Sequence, residues 1–170
     1  MKICVLNGSP KGKYSITLQT VLFLEKKFPE CDFDIVHVGQ KIRAYEKDIS
    51  EALKSISQAD LLLFSYPVYT FIAPYQLHRF IELLKEQKVD LSGKFAAQLS
   101  TSKHFFDVTA HRYIEENCFD LGLKYIGGLS ADMDDLLTHK GQQDAVSFWK
   151  YVLYCAESSI YEPFPLTAAK

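Results

Sequence analysis

The chain has 170 residues, 48% hydrophobic and 24% charged, with a formal net charge of −2. That length gives one domain with a sizeable core, and the near-neutral balance excludes the basic footprint of a nucleic-acid binder. No apolar run approaches the ~18 residues of a membrane span, and a lone lysine followed by a strand is not a signal-peptide layout, so a cytoplasmic protein is expected.

Ile3, Cys4, Val5 and Leu6 form a short apolar run, the pattern of a strand buried on both faces. Asn7-Gly8-Ser9-Pro10 ends it with turn formers. From about Ser15 the apolar residues Ile16, Leu18, Val21, Leu22 and Leu24 recur at helical spacing. A second strand is expected over residues 34–38, a loop over 41–48 and a short amphipathic helix over 49–57. Leu61-Leu62-Leu63-Phe64 is the strongest buried-strand run, ending at Ser65-Tyr66-Pro67-Val68-Tyr69. Pro74 suits the first turn of a helix, and Leu77, Phe80, Ile81 and Leu84 give it an apolar stripe. A fourth strand is predicted over 95–99, a helix over 108–121 with Gly122 at its C-cap, a fifth strand over 125–129 and a last helix over 142–158. Residues 133–139 have no clear type. The expected division is one domain over 1–160 and a tail over 161–170.

Strands and helices alternate five times, the signature of a parallel sheet with helices on both faces. In such sheets ligands lie outside the carboxyl ends of the strands, near a topological switch point. Three polar segments fall there: residues 7–17, 65–71 and 100–104. The first suits an anion: Gly8 permits close approach, Ser9, Ser15 and Thr17 offer hydroxyls, and Lys11 and Lys13 bring charge. The helix start adds free N–H groups. The alternative is an ordinary turn with Ser15 as N-cap and solvated lysines. It has neither Walker A nor GxGxxG spacing. The second segment carries Tyr66, Tyr69 and Phe71, stiffened by Pro67, which suits a planar heteroaromatic ligand. The third adds hydroxyls and Lys103. A phosphate at one end and a flat ring at the other describe a mononucleotide.

NGSPKGKYSIT after the first strand, followed by ADLLLFSYPVYTFIAPYQLHRFIE, resembles the flavodoxin-like NAD(P)H-dependent FMN reductases, over roughly residues 1–130. The resemblance implies an α/β flavodoxin-like three-layer sandwich, a five-stranded parallel sheet in order 2-1-3-4-5. It implies FMN as cofactor. Ser9, Lys11, Ser15, Ile16 and Thr17 would hold its phosphate. Pro67, Val68, Tyr69 and Thr70 would run under the ring, and Ser100, Thr101, Ser102 and Lys103 would close over its edge; His104 joins the candidates by its position beside that segment alone. Three departures stand out. The related iron–sulfur flavoproteins carry a compact cysteine motif where residues 40–57 here have no cysteine, so no cluster is expected. Lys11 replaces a frequent arginine. Thr70-Phe71-Ile72 is bulkier than the small residues usual there.

The expected activity is an FMN-dependent oxidoreductase that takes hydride from NAD(P)H and passes electrons to a quinone, flavin, metal or protein acceptor. The cofactor would carry the hard chemistry, and no nucleophile–base constellation stands out: Ser65 and Ser100 have no obvious histidine partner in the sequence. The competing readings are a flavodoxin-type electron carrier and a non-redox binding module. The lysine pair and the weak net charge argue against the carrier. Among the histidines, His104 adjoins the ring segment, whereas His37 (within a strand), His78, His111 and His139 read as surface or satisfied residues. The cysteines Cys4, Cys31, Cys118 and Cys155 form no CxxC pair, and Cys4 reads as core. Asp132, Asp134 and Asp135 lack the spacing of a calcium loop. Phe71, Ile72 and Tyr75 form an apolar stretch that a monomer would expose, and relatives build the site between subunits, so a homodimer or higher homo-oligomer is expected.

Overall fold

The computed structural model describes residues 1–103 and 107–164. The described residues form five strands: β1 (Lys2–Asn7), β2 (Asp32–Val36), β3 (Leu61–Pro67), β4 (Phe95–Ser102) and β5 (Lys124–Asp132). Six α-helices join them: α1 (Ile16–Lys27), α2 (Val38–Lys47), α3 (Ser50–Gln58), α4 (Tyr75–Glu86), α5 (Val108–Asp120) and α6 (His139–Glu157). The sheet order is β2-β1-β3-β4-β5 and every pairing is parallel. The first crossover runs one way from β1 and the later ones the other way, so the switch point lies between β1 and β3.

Strand alternation divides the apolar residues between two layers. Cys4, Leu6, Leu62, Phe64 and Ala96 face α2 to α5. Ile3, Val5, Leu61, Leu63, Ala97 and Leu99 face α1 and α6, where Trp149 is fully buried. Each fully buried Leu or Phe contributes roughly 1.5–3 kcal/mol. β3, paired on both sides, is buried at all of its positions. Cys4 is a core residue, and burial pushes its thiol pKa up to about 12.

Several boundaries differ from the sequence expectation. All but the last residue of the expected loop over 41–48 lie within α2, whose buried Val38, Ile42 and Tyr45 follow helical spacing. The charged residues between them face solvent and make the stretch look polar. β2 therefore ends at Val36, and His37 is the N-cap of α2 rather than part of a strand. β4 and β5 each run three residues further than expected, to Ser102 and Asp132. Residues 135–137 form a 3-10 turn, as do residues 12–14. Gly122, at φ +76°, follows α5 as a left-handed cap. Beyond α6, the Glu162 amide donates to the Tyr125 carbonyl on the edge strand (2.7 Å), and Phe164 packs edge-on against Phe119. This segment covers part of an otherwise open sheet edge.

Candidate active site at the carboxyl edge of the sheet

The loops after β1, β3 and β4 meet at the switch point. Backbone bonds stitch them together: the Gly8 amide donates to the Ser65 carbonyl and the Val68 amide to the Thr101 carbonyl, both at 2.8 Å. Within the first loop, Asn7 Oδ1 accepts from the Ser9 amide (3.2 Å), and Ser9 Oγ accepts from the Lys11 amide (3.2 Å). The start of α2 presses on this loop. A Cβ on Gly39 would lie 2.1 Å from the Ser9 carbonyl oxygen, so only glycine allows the approach.

α1 begins at Ile16 with Ser15 as N-cap, and the Ser15 hydroxyl makes no capping bond. Helix geometry leaves the first N–H groups without intrahelical partners. A cavity of about 130 Å³ opens at this helix end. Lys11, Ser15, Ile16 and Thr17 line it from the first loop, Pro67 and Tyr69 from the second, and Thr101 from the third, with Tyr14 and Met133 completing the wall. Thr17 Oγ1 and Thr101 Oγ1 are 2.6 Å apart. One hydroxyl proton fills that bond, which leaves the other free for a ligand. Two free hydroxyls, a lysine and a helix N-terminus make a donor set that fits a phosphate monoester.

Ser9 is buried behind this cavity and Val68 beneath the second loop, while Thr70 and Lys103 are exposed. The second loop turns tightly, the Ile72 amide donating to the Thr70 carbonyl (2.8 Å). Phe71 sits there at φ +65°, a left-handed conformation costing an aromatic residue about 1–3 kcal/mol. Tyr69, Phe71, Ile72 and Tyr75 are each more than half exposed. Tyr69 lines the cavity, and the other three follow it in the chain as an exposed apolar stretch. His104 lies outside the described residues.

Ser100 faces the opposite side of the sheet from Thr101. It is fully buried, donates to Asp107 Oδ2 (3.0 Å), and lies 2.7 Å from His111 Nε2. Sequence reasoning missed this histidine partner: the only local signal was Asp107 and His111 four residues apart at a helix start. The group is not a hydrolytic triad. There the carboxylate holds the ring nitrogen remote from the serine, whereas here Asp107 and Ser100 both face Nε2. Burial pulls the His111 pKa below its ordinary value against the opposing pull of Asp107. The Asp132 and Asp135 carboxylates bond their own turn: the Asp134 amide donates to Asp132, and the Asp132 amide to Asp135, each at 2.9 Å.

This architecture, with its anion cradle at the switch point, defines a flavodoxin-like α/β protein. Solved structures with the same fold include an apo NADH:FMN oxidoreductase (20% identity, TM-score 0.72, covering 98% of this chain and 92% of that one). They also include an FMN-dependent NADH-azoreductase from Bacillus anthracis in complex with FMN (15%, 0.62, 94% and 99%) and a mutant flavodoxin from Pseudomonas aeruginosa (13%, 0.63, 92% and 99%). No curated protein matches the chain. The family profile described as NADPH-dependent FMN reductase matches residues 1–127. The chain belongs to that family, an oxidoreductase family with FMN as cofactor.

Proposed function

We propose that the carboxyl-edge cavity is the FMN site of an oxidoreductase that takes hydride from NAD(P)H and delivers electrons to a quinone, flavin, metal or protein acceptor. One observation carries this reading: Lys11, Ser15 and Thr17 meet Pro67, Tyr69 and Thr101 around a single cavity at the N-terminus of α1. Lys11 and the hydroxyls of Ser15 and Thr17, with the first amides of α1, hold the phosphate. Ser9 and Ile16 shape that loop. Pro67 to Thr70 provide the floor for the ring, and Thr101 to Lys103 border its edge, with Ser100 turned to the opposite face of the sheet. FMN, when bound, supplies the hydride and electron chemistry. The chain orients it, and Tyr69 walls one side of the cavity.

The exposed Tyr69, Phe71, Ile72 and Tyr75 favour a homodimer that covers them. Among the described residues no helix is long and apolar enough to cross a membrane, and the four cysteines are free and buried, which suits work in a reducing cytoplasm.

The test is an absorbance spectrum of the purified protein with FMN, before and after NADH or NADPH under anaerobic conditions. A bound flavin band that bleaches with either nicotinamide supports the reading. A band that bleaches only with dithionite would make the protein an electron carrier. No spectral shift on adding FMN would overturn the site itself.

A further inference from the structure

The Asp107 carboxylate points away from its own helix. It stands at the N-cap of α5, yet its side chain makes no capping bond. An N-cap aspartate ordinarily accepts from the amides of its first helical turn. Here Oδ2 accepts instead from Ser100 Oγ on β4 (3.0 Å) and from Ser130 Oγ on β5. His111, one turn along α5, brings Nε2 to 3.4 Å. Ser100 has a single hydroxyl proton, directed at Asp107, so it accepts from His111 Nε2, which therefore carries a proton. The carboxylate is thus satisfied by groups from three elements in a place where an unpartnered charge would be costly.

The surroundings are built for this group. A Cβ on Gly128 would lie 2.6 Å from Gln98 Cγ and 3.0 Å from the His111 ring. Gln98 Nε2 donates to the His111 carbonyl (2.9 Å) and to Tyr125 Oη (2.6 Å), and Tyr66 Oη donates to Gln98 Oε1 (2.5 Å). The network sits towards the carboxyl ends of β4 and β5, on the face of β4 opposite to Thr101, which lines the cavity.

We propose that Asp107 is a positioning residue for FMN: by holding Ser100 and Ser130 it fixes where the end of β4, through Ser102 and Lys103, stands against the flavin ring. The proposal rests on the FMN reading above. It sets Asp107 apart from Lys11, which acts on the phosphate. Loss of Asp107 weakens FMN and riboflavin alike, because both carry the ring.

Titration of the purified protein with FMN and with riboflavin, followed by flavin fluorescence, tests this beside the thermal midpoint of the flavin-free protein. Asp107→Asn should weaken both flavins about tenfold, the lower end of what supporting residues cost. Ser130→Ala, whose residue lies outside the cavity lining, should weaken both about threefold, a smaller share of the same effect. Ile56→Val, on the buried face of α3, lowers the midpoint without touching flavin affinity and calibrates general destabilisation. A lower midpoint for Asp107→Asn with flavin affinities unchanged would make the network purely structural and overturn the proposal. If Asp107→Asn does not fold, Ser130→Ala decides alone, and unchanged affinity there overturns it too. An unmutated protein that binds neither flavin would overturn the FMN reading and this role with it, a result distinct from selective failure of the variants.

Discussion

Thr101 and Ser100 are neighbours on β4, and their side chains enter opposite layers. Thr101 faces α1, where its hydroxyl meets Thr17 at the rim of the cavity. Ser100 faces α5, where its hydroxyl meets Asp107 and His111 in a closed network. Donor groups are left free beside open space around Thr101, whereas the Ser100 hydroxyl is satisfied internally. One strand end thus carries the proposed binding face on one side and its proposed support on the other.

The heaviest blow to the binding side is Gly39→Ala. The new methyl would lie 2.1 Å from the Ser9 carbonyl oxygen, so α2 or the first loop must move. A loss of about 3 kcal/mol is expected in denaturant unfolding, with FMN binding lost as the loop shifts. The counterpart on the supporting side is Gly128→Ala. Its methyl meets the flexible Gln98 side chain and the His111 ring. About 2 kcal/mol is expected from the same unfolding measurement, with flavin binding weakened rather than abolished.

Lys11→Ala separates the sides more finely. Lys11 is exposed, so unfolding should be unchanged while the FMN dissociation constant rises about tenfold, or ~1.4 kcal/mol. Affinity for riboflavin should stay the same.

The smallest effect is a pH dependence. Burial holds His37, His78 and His111 below their ordinary pKa of 6.5 in the folded protein. The unfolded chain therefore binds more protons as pH falls below that value, and stability present above it is lost as pH drops through the folded pKa values. The thermal midpoint should be flat just above neutrality and decline below pH 6.5. His111→Gln should shallow that decline. A midpoint rising on acidification would contradict the burial of these rings.

Much of the fold was legible because buried parallel strands announce themselves as short apolar runs, as at Leu61 to Phe64. α2 was not, because Val38, Ile42 and Tyr45 are separated by Lys41, Arg43 and Ala44, and Gly39 near the helix start reads as loop. The first loop was legible because Ser9 to Thr17 lie within one turn–helix junction. The supporting network was not. Its members Ser100, Asp107, His111 and Ser130 come from three elements, and only the parallel pairing of Ser100 with Ser130 brings the two serines together. Strand alternation already separates Ser100 from Thr101, so a single role for the whole segment at the end of β4 hides two environments.

The central claim is that the N-terminus of α1 and its loop hold the FMN phosphate. The direct test is the ratio of FMN to riboflavin affinity in the unmutated protein and in Ser15→Asp, which places a carboxylate where the phosphate would sit. FMN should bind about a hundredfold more tightly than riboflavin in the unmutated protein, some 2.7 kcal/mol, and Ser15→Asp should erase that preference while still binding riboflavin. Equal affinity for the two flavins in the unmutated protein would contradict the account.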